Sequence, residues 1–150
     1  MIRKARVDDV KEIQRLVKLY SGRGEMLPRS LSELYDNIRD FFLFIRGRKV
    51  VGVCAVHICW EDLAEIRSLA VDEKYRKKGI GADLVKTCLK EAKSLGLKKV
   101  FALTYQEEFF ERLGFQKVDK NVLPQKIWGD CLRCVKFPDC DEVALAKELR

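Results

Sequence analysis

The chain has no apolar run approaching the roughly 20 residues that a bilayer-spanning helix needs. It also lacks internal repeats and low-complexity tracts, and it has one histidine among its 150 residues. The first absence argues against a membrane span. The N-terminus, where Arg3, Lys4 and Arg6 interleave with Ile2 and Val7, reads as a strand and not as a signal peptide, so the expected compartment is the cytoplasm. Nothing resembling a linker divides the chain. With 47% hydrophobic residues it is expected to form one domain over residues 1–150 around one core, without covalent staples. Acidic side chains are the scarcer sign, 23 against 30 basic ones, which gives a net charge of +7 and favours an anionic ligand. The basic residues fall in short separate clusters (Arg46, Arg48, Lys49; Arg76, Lys77, Lys78; Lys98, Lys99), whereas a nucleic-acid face would gather them on one surface. No nucleic-acid or membrane partner is therefore expected.

What the sequence does hold is concentrated in residues 69–81, Leu-Ala-Val-Asp-Glu-Lys-Tyr-Arg-Lys-Lys-Gly-Ile-Gly. An apolar strand runs into a basic, glycine-spaced turn, and an amphipathic helix follows. The first turn of that helix has unpaired N–H groups and the positive end of the helix dipole, which suits an anion lying over the turn. Gly79 and Gly81 remove the Cβ atoms that would hold an anion away, and Arg76, Lys77 and Lys78 add charge.

Periodicity predicts a strand at about 2–6, then a helix capped by Asp8 with Val10, Ile13, Val17 and Tyr20 facing the core. After the loop 21–28, Ser30 and Glu33 form a capping box, and Leu31, Leu34, Tyr35 and Ile38 are expected on one face of a second helix. Strands are expected at 41–45, 50–60 and 63–71 as an antiparallel meander. The helix after the glycine turn carries Ile80, Leu84, Val85, Cys88, Leu89, Ala92 and Leu95 at core spacing and ends at Gly96. A strand at 98–105, a short helix at 107–113, a strand from 115 to 118, an insert at 119–141 and a last strand at 142–149 complete the chain.

The Arg-x-x-Gly-x-Gly turn at 76–81 resembles the acetyl-coenzyme A pyrophosphate loop of the GNAT superfamily of N-acetyltransferases. The order β-α-α-β-β-β-α-β-α-β, closed by a further strand, extends the resemblance over nearly the whole chain. It implies an α/β (α+β) GNAT fold: a mixed, mostly antiparallel twisted sheet of six to seven strands with helices on both faces. It also implies that the backbone of Leu69, Ala70 and Val71 holds the pantetheine arm, while Arg76, Lys77, Lys78, Gly79, Ile80, Gly81 and Ala82 hold the pyrophosphate. A homodimer is common in the superfamily and is a weak expectation here.

Acetyl transfer to an amine requires deprotonation of the amine and a held thioester. Strict alternation along 63–71 places Glu65, Arg67, Leu69 and Val71 on one face, and a carboxylate inside this apolar strand points to a general base. An ion pair of Glu65 with Arg67 or with a neighbouring strand is the structural alternative. Many GNAT enzymes place a proton-donating tyrosine where this chain has Phe110, which carries no hydroxyl. Thr104 and Tyr105 are the nearest hydroxyls by sequence. The segments Glu65-Ile-Arg-Ser-Leu-Ala-Val71, Phe101-Ala-Leu-Thr104 and Phe109-Phe110-Glu-Arg-Leu-Gly-Phe115, with Arg29-Ser30 and Leu123-Pro124, are similar to one GNAT branch, N-acetylglutamate synthase. That resemblance implies Glu65 and Thr104 as catalytic residues. It implies L-glutamate as acceptor, bound by Arg29 and by backbone groups at Ser68 and Leu103, in the first step of arginine synthesis. The second arginine of the long-form enzymes has no clear counterpart, and Lys126 or Arg133 could replace it. Another amino acid, a small amine or a protein N-terminus is the alternative acceptor. A non-catalytic acyl-coenzyme A or metal sensor is the alternative class.

Three of the six cysteines, Cys131, Cys134 and Cys140, form a Cys-x-x-Cys with a third thiol six residues on. The spacing suits a zinc corner, with His57, Asp139 or Asp141 as fourth ligand, but a disulfide or reduced packing thiols fit it as well. Cys54, Cys59 and Cys88 fall at core positions, and His57 reads as a hydrogen-bonded residue and not a ligand.

Overall fold

The computed structural model describes residues 1–120 and 142–149. β1 (Ile2–Lys4) leads through a 3-10 turn, Val7–Asp9, into α1 (Val10–Ser21). The carboxylate that organises this entrance is Asp9 and not the expected Asp8: it accepts from the Arg6 N–H at 2.7 Å and pairs with Arg3 at 2.8 Å. α2 (Leu31–Asp36) starts with the expected capping box, in which the Glu33 N–H donates to Ser30 Oγ at 3.1 Å. The helix is shorter than predicted, and Ile38 belongs to a following 3-10 turn, Ile38–Asp40. Of its expected core face only Leu34 is fully buried, while Leu31 and Tyr35 are exposed.

The sheet has seven strands in the order β1-β2-β3-β4-β5-β7-β6. β2 (Phe41–Arg46), β3 (Lys49–Trp60) and β4 (Leu63–Val71) form the antiparallel meander. α3 (Ile80–Ser94) then crosses over, so that β5 (Lys99–Thr104) pairs parallel with β4. α4 (Glu107–Arg112) and β6 (Gln116–Val118) follow, and β7 (Val143–Glu148) inserts between β5 and β6. Helices cover both faces. Val10, Ile13, Leu16 and Val17 of α1 pack with Leu43, Val53 and Ala70 on one face. On the other face, Ile80, Leu84, Val85 and Cys88 of α3 pack with Val51, Cys54, Ile66 and Val100. Leu95, expected on the core face of α3, is exposed; it is the C-cap, just beyond the last helical residue.

Two irregularities of β4 create the space for a site. Its pairing with β5 stops at Glu65↔Phe101, although the strands run on to Val71 and Thr104, so their inner edges diverge. A β-bulge sets Ser68 and Leu69 opposite Cys54, with Ser68 at φ 53. The extra residue reverses the alternation: Ala64, Ile66, Leu69 and Val71 face α3, while Ala70 packs on the α1 side. The single face predicted for Glu65, Arg67, Leu69 and Val71 is therefore split in two.

Candidate active site

The diverging edges of β4 and β5 open into a cleft of about 920 Å³ that runs from the glycine turn to the loop before α2. At the end nearest the glycine turn, Arg76, Lys77, Gly79, Ile80, Gly81 and Ala82 line the wall. Gly79 is the N-cap of α3 at φ 81, a conformation that costs other residues about 1–2 kcal/mol. It supplies no side-chain cap, so the first N–H groups of α3 face the cleft without a side-chain acceptor from the N-cap residue. Lys78 does not line the cleft; its Nζ lies 5.6 Å from the centre of the Tyr75 ring.

Along the strand, Leu69 and Val71 line the cleft and Ala70 does not. The register that bonds the Asp72 N–H to the Val51 carbonyl at 2.8 Å turns the backbone groups of Ala70 toward β3 and those of Val71 toward the open edge. There the Val71 carbonyl accepts from the Tyr20 hydroxyl at 2.5 Å. Burial pushes the Tyr20 phenol up, against the opposing pull of Arg76, which keeps it a donor. Tyr20 reads from sequence as an ordinary core position of α1. Its hydroxyl at the buried end of an apolar stripe was the one sign of a further role.

At the other end lie Glu65, Arg67, Ser68, Leu103 and Arg29. Glu65 is 8% exposed, and its Oε1 accepts from Arg67 Nε at 2.6 Å, so the structural alternative raised for this residue exists, but inside the cleft wall and not at a sheet margin. Arg29, directly before the α2 cap, pairs with Glu33 at 3.3 Å. Thr104 also lines the cleft, where its Oγ1 accepts from the Gln106 N–H at 2.8 Å. By alternation it shares the α3 side with Val100 and Ala102, whereas Glu65 lies on the α1 side. The two expected catalytic groups therefore approach the gap from opposite faces of the sheet. Phe110 is 3% exposed and packs edge-on against Phe109 and Phe115, with ring centres 5.0 and 5.1 Å away.

Cys131, Cys134 and Cys140 lie outside the described residues, as do Lys126 and Arg133. Among the described residues no group of histidine, cysteine and carboxylate side chains is placed to hold a metal, and Cys54 and Cys88 are buried free thiols. No helix among them is long and apolar enough to cross a membrane.

Residues 8–115 match the acetyltransferase (GNAT) family. The chain is 43% identical over 148 residues to an uncharacterized N-acetyltransferase of Chlorobaculum tepidum, covering 99% of this chain and 96% of that one. It is 36% identical over 137 residues to an amino-acid acetyltransferase of Mycobacterium tuberculosis, covering 89% and 78% respectively. Its fold superposes with a TM-score of 0.91 and 26% identity on N-acetylglutamate synthase of Neisseria gonorrhoeae complexed with coenzyme A and N-acetyl-glutamate. That match spans all of this chain and 35% of the longer enzyme.

Proposed function

The chain belongs to the acetyltransferase (GNAT) family, and from that premise we propose that it transfers the acetyl group of acetyl-coenzyme A to the α-amino group of L-glutamate, the first step of arginine synthesis. The observation that carries this reading is the cleft itself. It joins an anion-binding helix start at Gly79 to a carboxylate, Glu65, and an arginine, Arg29, at its other end. The N-acetylglutamate synthase on which this fold superposes is complexed with coenzyme A and N-acetyl-glutamate, which supports glutamate as the acceptor.

In this mechanism the N–H groups at the start of α3, with Arg76 and Lys77, hold the pyrophosphate. The open edge at Val71 offers an N–H to the pantetheine arm, and the Tyr20 hydroxyl fixes the neighbouring carbonyl. Arg29 takes a carboxylate of the acceptor, with backbone groups at Ser68 and Leu103 beside it. Glu65, directly or through one water, removes a proton from the acceptor ammonium, and the free amine attacks the thioester carbonyl. The thiolate leaves on the opposite face of the sheet, where Thr104 supplies the nearby hydroxyl. Phe110 supplies hydrocarbon and no proton.

The test is thiol release from acetyl-coenzyme A with a panel of amino acids, amines and peptide N-termini, with the product identified by mass. Selective turnover with L-glutamate is expected. Selective turnover with another acceptor would overturn the glutamate assignment, and binding of acetyl-coenzyme A with no acceptor used would leave a sensor in place of an enzyme.

A further inference from the structure

His57 is the sole histidine of the chain, and neither the cofactor loop nor the acceptor end uses it. It stands on β3 directly opposite Glu65 on β4. Cross-strand partners project to the same face with Cβ atoms about 5 Å apart, so the imidazole and the carboxylate are lateral neighbours. On the far side of Glu65 the register partner is Phe101 of β5, which is fully buried and apolar. On the far side of His57 the Asp40 carboxylate meets ring Nδ1 at 2.7 Å. Across the sheet the row thus reads Asp40, His57, Glu65, Phe101. The outer pair of the row is more open than the carboxylate behind it: the side chains of His57 and Asp40 are 29% and 24% exposed, and that of Glu65 is 11%.

A base buried in this way must shed the proton it removes from each acceptor before the next turnover. Arg67, bonded to Glu65 at 2.6 Å, is always protonated and cannot accept it. We propose that His57, oriented by Asp40, is the proton exit of Glu65, a positioning and relay residue acting through that carboxylate; the inference rests on Glu65 being the base. Asp40 holds the tautomer with a proton on Nδ1 and turns Nε2 away from itself. The protonated Glu65 passes its proton to Nε2, directly or through one water, which restores the carboxylate and forms an imidazolium paired with Asp40. Nε2 then releases the proton to solvent, so one proton enters and one leaves per acetyl transferred. The charged groups these elements present to the ring are Asp40 from the turn before β2, and Glu65 and Arg67 from β4.

With one histidine in the chain, a single imidazole Cε1–H resonance reports this ring without any need for turnover. Its chemical shift at neutral pH should move in Glu65→Gln and also in Asp40→Asn, since each alters a group placed beside the ring. A resonance unmoved by Glu65→Gln would overturn the relay. In the active enzyme, His57→Gln should lower kcat about tenfold with the KM of both substrates within about twofold. It should also alter the pH profile of kcat, and imidazole in the buffer should restore part of the turnover of His57→Ala. An His57→Gln enzyme with wild-type kcat and pH profile would sink the relay and leave the acetyl-transfer reading standing. A wild-type chain that acetylates no amine would overturn both.

Discussion

The proposed mechanism gives Glu65 and Arg29 different work in the same cleft, and the two can be separated by kinetics. Glu65→Gln keeps the shape and a hydrogen-bond acceptor for Arg67 but removes the proton-accepting charge. It is expected to lower kcat by about 10²- to 10⁴-fold with the fold intact, checked by turnover beside a thermal melt. Wild-type turnover would return Glu65 to a structural ion pair. Arg29 is held by Glu33 at the mouth of α2 and contacts the acceptor in the proposed mechanism. Arg29→Gln should raise the acceptor KM about tenfold or more, the worth of one charge-assisted hydrogen bond, and leave the KM of acetyl-coenzyme A within about twofold. Equal effects on both constants would speak for a general loss of structure. At this scale the sequence was informative about chemical type, because a carboxylate in an apolar strand and an arginine before a capping box are conspicuous. It was silent about partners such as Tyr20 with Val71 and Asp40 with His57, which are 51 and 17 residues apart in sequence.

At the scale of elements, α3 must lie close on β3 for its N-terminus to reach the cleft, and Gly52 permits the approach. A Cβ built there would sit 3.0 Å from both Ile80 Cγ2 and Leu84 Cδ1. Gly52→Val is therefore expected to destabilise the protein by about 1–3 kcal/mol through overpacking. Because Ile80 is the first residue of α3, it should also raise the KM of acetyl-coenzyme A, read by urea unfolding and initial rates. The capping box and the glycine turn were legible because both are local patterns with local causes. The bulge at Ser68 was not: strict alternation is the default for a strand, and the extra residue becomes visible only against β3. That one residue is why Leu69 and Val71 face the α3 side while Glu65 faces the α1 side.

For the molecule as a whole, Asp72 joins three parts of the fold just before the glycine turn. It is 8% exposed, accepts from the Lys74 N–H at 3.1 Å, and faces Lys49 of β3 at 3.4 Å and Arg15 of α1 at 3.8 Å. The Lys74 N–H first, then Lys49 and Arg15, hold its carboxyl below the ordinary 3.8 in spite of burial. Arg3 does the same for Asp9. A carboxyl depressed in the folded state adds stability that is fully present above its unfolded value and is lost as pH falls through the folded one. The urea midpoint should therefore be flat near neutrality and drop below about pH 4. Asp72→Asn should start lower at pH 7 and lose less on acidification, whereas parallel curves for the two proteins would remove Asp72 from the account.

The sequence by itself determined the order of the elements, the basic glycine-spaced turn and the residue types lining the cleft, since these follow from side-chain periodicity, backbone freedom and charge over a few neighbouring residues. Only the tertiary structure decided where β4 and β5 part, which side of the sheet each site residue faces, and that His57 stands beside Glu65. Those depend on register between strands that are distant in sequence, and a shift of one residue turns every side chain to the other face.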